Sequence, residues 1–418
     1  MNYEFMNSDI HNFHRMEIND RRDIIKELSN LNEDDMDIMN NYVDENSFDM
    51  IENVYTLMSL PVGIATNFRI NGSDYLIPMS IEEPSVIAAC SNGAKYARLL
   101  GGFTAYSTES IMRGEIEIYN IPDIELAIIK IMKEKNKILE MANTRSKTLT
   151  RLNAGAINIE FKIIDNEIIL YLIVNVKDAM GANVINTMLE YISSCIENIT
   201  GGKTNLRIMS NLTTERITYA YAKFDGNTLG EEIVDRIIMA NNFAKNDIYR
   251  ATTHNKGIMN GIDAVLLATL NDFRAEEANA HAYASMNGYK PLTEYAKDND
   301  GNLIGSIRIP VAVGTVGGAT KTSKKAQLNM KILGIRDSNE FANVLASVGL
   351  AQNFAALRAL ADEGIQKGHM KLHARNIAIS AGATGSKIDK IVNTMLDENN
   401  ISYSRAIELL NGDKNGKL

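Results

Sequence analysis

Fifteen residues near the middle of the chain, Tyr249 to Asp263, carry a dense set of reactive side chains: Tyr-Arg-Ala-Thr-Thr-His-Asn-Lys-Gly-Ile-Met-Asn-Gly-Ile-Asp. An ordinary core segment alternates apolar and polar residues, and this one does not. Arg250 offers a planar fork for a carboxylate. Lys256 offers a compact positive charge, suited to a place where an oxyanion develops. Gly257 and Gly261 allow close backbone approach. Sixteen residues after Lys256 comes Asn271-Asp272-Phe273-Arg274, with a carboxylate that could orient such a lysine. The competing reading is a polar loop with a local ion pair, since structural charge clusters look the same in sequence.

Two other stretches could do chemistry. Glu82-Glu83-Pro84-Ser85 precede a small-residue helix expected from Val86 to Leu100, with Pro84 in its first turn and Glu83 beside its positive end. Glu83 then either compensates the dipole or, held beside small apolar residues, gains a raised pKa and serves as an acid. Lys177-Asp178-Ala179-Met180-Gly181-Ala182-Asn183 is a glycine turn running into a helix start, a ready anion site that could seat a pyrophosphate. Its plainer reading is a tight turn with Asn183 as N-cap. No G-x-G-x-x-G occurs, so a Rossmann reading fails, and Gly314 to Thr322 lacks the G-K-[ST] ending of a phosphate loop. His369 and His373 are four apart, but no third ligand lies nearby, so no metal is expected.

These residues need elements to hold them. Residues 1–60 are polar and acidic with helical stretches, and His11, His14 and Arg15 read as a solvated arm. Asn71-Gly72 between two apolar runs signals a hairpin. From about 112 to 212 the pattern becomes self-contained. Glu115 to Tyr119 alternates as a strand, and Pro122-Asp123 opens a long helix with Ile124, Ala127, Ile128, Ile131 and Ile138 on one stripe. Two more strands, a second helix and a closing strand give β-α-β-β-α-β, the ferredoxin-like split arrangement. Residues 216–362 return to a helix-rich pattern, with a capping box at Asp337 and Glu340. Gly364 and Gly368 flank the last piece like hinge points, which suggests a mobile flap. The fold expected is α+β: a large helix-rich substrate-binding and dimerisation domain (1–110 and 216–363), an inserted ferredoxin-like nicotinamide-cofactor domain (111–215) and a small C-terminal helical flap (364–418).

Composition sets the limits. The 418 residues are 45% hydrophobic and 23% charged, with a net charge of −9, which argues against nucleic acid as a partner. No apolar run approaches the roughly 20 residues that span a bilayer. The start, Met1-Asn2-Tyr3-Glu4, has no signal pattern, and Cys90 and Cys195 form no disulfide framework, so the expected compartment is a reducing cytoplasm.

Taken in order, Glu52-Asn53-Val54, Glu82-Glu83-Pro84-Ser85, Asp178 to Asn183, Thr253 to Gly261, Asn271 to Arg274, Val316 to Thr322 and Gly368-His369-Met370 resemble the class II form of 3-hydroxy-3-methylglutaryl-coenzyme A (HMG-CoA) reductase, over nearly the whole chain after residue 50. The resemblance implies reduction of the thioester to mevalonate and coenzyme A by two hydride transfers from a nicotinamide cofactor. Lys256 would stabilise the oxyanion, Glu83 would supply or accept a proton, and Asp272 would hold Lys256. His369 would protonate the departing thiolate, with His373 near the site in another role. Arg250 and Ser85 would hold the free carboxylate of the substrate, and Asn260 would bond to Lys256 or to a substrate oxygen. Asp178, Met180, Gly181, Ala182 and Asn183 would line the cofactor site. Relatives that use NADH carry an acid after the long helix of the small domain, where this chain has Arg145, Ser146 and Lys147. Two cations and a hydroxyl suit a 2′-phosphate, which implies NADPH over NADH; the alternative is an ordinary basic helix end. The family places Glu52-Asn53-Val54 in a subunit interface, implying a homodimer and allowing a hexamer as a trimer of dimers. Tyr55 departs from the pattern there and leaves the packing open. No membrane anchor is expected. Two rivals use the same groups: the same enzyme working as a mevalonate oxidase, and a coenzyme A thioester hydrolase in which His369 and Asp272 activate water.

Overall fold

The computed structural model describes residues 7–10, 13, 16–40, 50–53, 56–362 and 374–414. The expectations for His369, His373, Gly364, Gly368, His11, His14, Arg15, Val54 and Tyr55 lie outside these residues.

Helices α1 (Ile18–Leu28) and α2 (Glu33–Asn40) precede strands β1 (Val62–Ile70) and β2 (Ser73–Ser80). Asn71 and Gly72 between the strands have φ of 50° and 83°, the mirror-image turn whose twist suits a hairpin. Then come α3 (Val86–Arg98) and β3 (Phe103–Ser107). The next run is β4 (Ile111–Tyr119), α4 (Ile124–Asn143), α5 (Lys147–Arg151), β5 (Gly155–Ile164), β6 (Glu167–Asn175), α6 (Ala182–Thr200) and β7 (Lys203–Met209). It is followed by β8 (Ile217–Phe224), α7 (Gly226–Leu229), α8 (Glu231–Asn246), α9 (Ile248–Thr269), α10 (Phe273–Ser285), β9 (Thr293–Lys297), β10 (Leu303–Pro310), α11 (Lys324–Leu333) and α12 (Ser338–Ala361). Helices Ser386–Asp397 and Tyr403–Lys414 close the chain.

The strands form two sheets. One has the order β2-β1-β3-β8-β10-β9, the other β5-β6-β4-β7. In the second, every neighbouring pair is antiparallel, the pairing of a split β-α-β unit. Its core forms because Ile116 and Ile118 of β4 point to the same side as Ala127, Ile131 and Ile138 of α4 and Ile185, Leu189 and Ile192 of α6. The six-stranded sheet shares a separate core with α3, α9 and α12. Ala374, Ala378, Ile391, Val392, Met395, Ala406 and Leu409 form a third, among the last helices.

Three expectations need correction. Pro84 lies before α3, which starts at Val86 with Ser85 as its N-cap. Gly181, not Asn183, caps α6, because its φ of 111° turns the chain into the helix where a side chain would be strained. One helix is also long and apolar enough to cross a membrane: α12, with a mean hydropathy of 1.4. It is a core helix here, most of it buried inside the protein.

Candidate active site

The stretch from Tyr249 to Asp263 is no loop; it is the first two-thirds of α9. Asp247 starts the helix by accepting a hydrogen bond from Arg250 N at 2.7 Å. Ala251, Ile258, Met259, Ile262, Val265 and Leu266 bury one face. Gly261 lets α12 come close: a Cβ there would sit 3.0 Å from Val348 Cγ1 and 3.1 Å from Gln352 Cβ. Gly257 is different, since a Cβ would meet nothing within 4 Å, and the close approach expected there is not made by this chain. Lys256, Asn260 and Asp263 recur at helical spacing and share a side of α9.

At this end of α9, Lys256 Nζ lies 3.4 Å from Glu83 Oε2. The side chains are 60% and 39% exposed, so the pair adds little stability and stays open to a ligand. The apolar enclosure expected around Glu83 is therefore not formed by one chain. Ser85 has a left-handed φ of 78°, and its Oγ is buried with no hydrogen-bond partner. Left-handed backbone and an unsatisfied hydroxyl each cost free energy that a bound group can offset. Arg250 is half-buried, its guanidinium makes no ion pair or hydrogen bond with a described residue, and burial lowers its pKa. One turn on, burial and the charge of Arg250 push the His254 pKa down to about 3, so this imidazole is neutral. His254 Nε2 is 2.6 Å from Thr293 Oγ1. Asn260 is half-buried beside Lys256.

Asp272 is at the other end. It caps α10 by accepting from Ala275 N at 3.1 Å, and pairs with Arg274 at 3.1 Å. Lys256 and Thr269 are thirteen helical steps apart, roughly 20 Å at the α-helical rise. The Lys256 side chain also leans toward the helix start. Within one chain, Asp272 does not reach Lys256 as the sequence spacing had suggested.

Asp272 instead stands on the wall of a cleft of about 550 Å³. Met180, Gly181, Ala182 and Asn183 line it opposite Asn271, Asp272 and Arg274, with Gly317 and Gly318 nearby. The start of α6 points its free N–H groups into this space, which fits a pyrophosphate. Asp178 does not line the cleft: its Oδ1 accepts from Ser338 N at 3.0 Å and its carbonyl from Thr315 N at 2.9 Å, joining the turn before α6 to α12. Arg145, Ser146 and Lys147 also lie off it. Arg145 sits 4.3 Å over the Tyr191 ring, Ser146 caps α5 by accepting from Leu149 N at 3.3 Å, and Lys147 is exposed.

Two residues that sequence reasoning missed fix this cleft. Buried Arg216 donates to Val313 O at 2.6 Å and Ala179 O at 3.3 Å. Glu276 accepts from Ala312 N at 2.9 Å. Burial moves both toward neutrality, Arg216 down to about 10 and Glu276 up to about 7, with their mutual attraction opposing it. Neither belongs to a local pattern, and only the fold brings them together.

A family model described as hydroxymethylglutaryl-coenzyme A reductase matches residues 17–374. The chain belongs to that family. It is 49% identical over 412 residues to the 3-hydroxy-3-methylglutaryl-coenzyme A reductase of Archaeoglobus fulgidus, covering 97% of this chain and 94% of that one. A probable reductase of the same name from Borreliella burgdorferi is 37% identical over 380 residues, covering 88% and 86%. A solved structure of the class II enzyme of Streptococcus pneumoniae, bound to NADPH in open conformations, matches with a TM-score of 0.80 and 35% identity over 96% of this chain and 100% of that one. A second structure from that organism gives 0.82 and 34%, covering 96% and 99%. As a member of that family, the chain is an oxidoreductase that reduces HMG-CoA to mevalonate. The mevalonate-oxidase and thioester-hydrolase readings find no support in these comparisons.

Proposed function

We propose that the reaction centre is completed by two copies of the chain, one supplying Lys256, Glu83, Ser85, Arg250 and Asn260, the other supplying Asp272 and the cleft. The observation that carries this is the Lys256–Glu83 contact at 3.4 Å, left open beside the unpaired Arg250, with Asp272 roughly 20 Å away along α9. Arg250 and the unsatisfied hydroxyl of Ser85 hold the substrate carboxylate. Lys256 places its ammonium against the carbonyl oxygen, where negative charge grows as the carbon is reduced. Met180, Gly181, Ala182 and Asn183 would hold NADPH in the cleft, and when bound it would supply the hydride of each reduction. Glu83 moves the protons that accompany them, and Asn260 steadies Lys256 or the substrate oxygen. Asp272 of the second copy holds Lys256, so the acidities of Lys256, Glu83 and Asp272 are shared. His369 protonates the leaving thiolate, a modest leaving group with a pKa of about 8.5 if cysteine is its guide.

The cofactor is held by Met180, Gly181, Ala182 and Asn183, with Asp178 keeping their turn in place. Arg145 and Lys147 are exposed on either side of half-buried Ser146 just after α4, and two cations and a hydroxyl there favour the 2′-phosphate of NADPH. Residues 1–110 with 216–363 bind substrate and pair the subunits, residues 111–215 bind cofactor, and residues 364–418 close over the site. The assembly is a homodimer, with a hexamer of three such dimers as its larger form, in the cytoplasm, without metal, nucleic acid or membrane.

Replacing Lys256 with Ala tests this directly. NADPH consumption with HMG-CoA falls by about a hundred-fold or more, in line with loss of an oxyanion-stabilising group. Turnover close to wild type would remove the role given to Lys256.

A further inference from the structure

Four consecutive residues, Ala312 to Thr315, pass behind the cleft, and each is tied to a different part of the fold. Ala312 N donates to Glu276 Oε1 of α10 at 2.9 Å. Val313 O accepts from Arg216 Nη2, just before β8, at 2.6 Å. Gly314 N donates to Asn271 Oδ1, just past α9, at 3.1 Å. Thr315 N donates to Asp178 O, in the turn before α6, at 2.9 Å. The segment is thus a fixed rail on the large core.

The turn before α6 rests on that rail at two points besides Asp178. Arg216 is only 3% exposed, and its Nη1 donates to Ala179 O at 3.3 Å. One guanidinium therefore bridges a carbonyl of the turn and a carbonyl of the rail, and its planar fork serves both from one buried place. A buried carbonyl that lost this donor would be left unpaired, which is costly. The second point is Gly314. A Cβ there would sit 2.8 Å from Met180 N and 3.3 Å from Ala179 C, so the two backbones touch only because no side chain stands between them. Gly181 follows Met180 and starts α6, whose first N–H groups face the cleft. Arg216 does not itself line the cleft.

We propose that Arg216 is a positioning residue for the dinucleotide: by pinning Ala179 O to Val313 O it fixes where the first N–H groups of α6 point, without touching the ligand. The inference rests on the reading of this cleft as the cofactor site. An anion at a helix start is held by a few N–H groups of the first turn, and that attraction fades within the turn. A small displacement of the turn is therefore enough to weaken a pyrophosphate. Arg250 and Ser85, which are given the substrate carboxylate, make no contact with the rail, so the effect falls on one ligand and spares the other.

The test uses the full-length protein, with NADPH binding followed by the fluorescence of the nucleotide and steady-state kinetics run with HMG-CoA and NADPH. Arg216→Gln raises both the Kd and the KM for NADPH about ten-fold and leaves the KM for HMG-CoA unchanged. Arg216→Lys keeps the charge but not the fork, and its NADPH affinity falls between wild type and Arg216→Gln. If Arg216→Gln fails to fold, Gly314→Ala carries the test: it keeps every donor of the rail, its methyl displaces Met180 N, and NADPH binding weakens about five-fold. Wild-type affinity for NADPH in these variants would overturn the proposal, as would a KM for HMG-CoA that rises in step with that for NADPH. Asn183→Asp, which sets an anion at the start of α6 inside the cleft, separates the two readings. If it weakens NADPH while Arg216→Gln does nothing, only the role of Arg216 is wrong; if it leaves NADPH binding untouched, the cleft is not the cofactor site.

Discussion

The two ends of α9 are built in opposite ways. At its start, among the described residues, Arg250 is half-buried without a partner and the Ser85 hydroxyl is idle beside a left-handed backbone, and Lys256 meets Glu83 across an exposed 3.4 Å gap. At its end almost every polar group is tied down. Asn329 Nδ2 donates to Ala268 O at 2.7 Å, Thr320 Oγ1 to Thr269 O at 2.8 Å, and Gly314 N to Asn271 Oδ1 at 3.1 Å. The far end is therefore set by the chain's own hydrogen bonds, whereas the start leaves polar groups open. One helix keeps the two apart, and the proposed reaction centre brings both to one carbon atom only across two copies of the chain.

The largest effect comes from mixing. Lys256→Ala and Asp272→Ala are each nearly inactive alone, but unfolding and refolding them together recovers about a quarter of wild-type turnover, since half the dimers are mixed and one of their two sites is intact. Recovery at the level of the single variants would place both residues in one subunit. A smaller effect separates the cofactor end from the substrate end. Ser146→Asp puts an anion between Arg145 and Lys147 and raises the KM for NADPH about ten-fold, while NADH and HMG-CoA are little affected. An equal change for both nucleotides would show that this triplet does not read the 2′-phosphate.

The smallest effect is on stability. Asp263 keeps its proton in the folded chain up to about pH 9 but loses it near 3.8 when unfolded. The folded state thus binds more protons across that window, so Asp263 costs stability increasingly as pH rises. Asp263→Asn removes the cost. Its melting temperature lies a few degrees above wild type at pH 8, and the gap closes near pH 4. A gap that is constant with pH would mean that the carboxyl is ionised in the folded chain.

Local signals in the sequence led to correct elements. Asn71-Gly72 gave the hairpin, and the alternation through Ile116 and Ile118 with the Asp123 cap gave the strand and helix that open the four-stranded sheet. Caps that depend on the surroundings were harder. Ser85 and Gly181 take left-handed φ values because the folded chain holds them there, and propensity alone pointed to Pro84 and Asn183. Residue types identified Lys256 and Asp272 as reactive, but a spacing of sixteen means contact only if the chain turns back between them, and α9 runs straight on to Thr269. The buried role of Glu276 could not be seen at all, because it lies in an alanine-rich helix whose facing partner, Ala312 N, is set by the fold.

The burial of α12 has a consequence for biosynthesis. Gly349 fits it against Ile258 and Ile262 of α9, and Gly93 of α3 packs on its backbone at Ala351. Every strand of the six-stranded sheet, and both of those helices, precede residue 338 in the chain. When this greasy rod leaves the ribosome, its groove has already been synthesised, so it can dock at once instead of lingering in water, where chaperones and insertion machinery would compete for it.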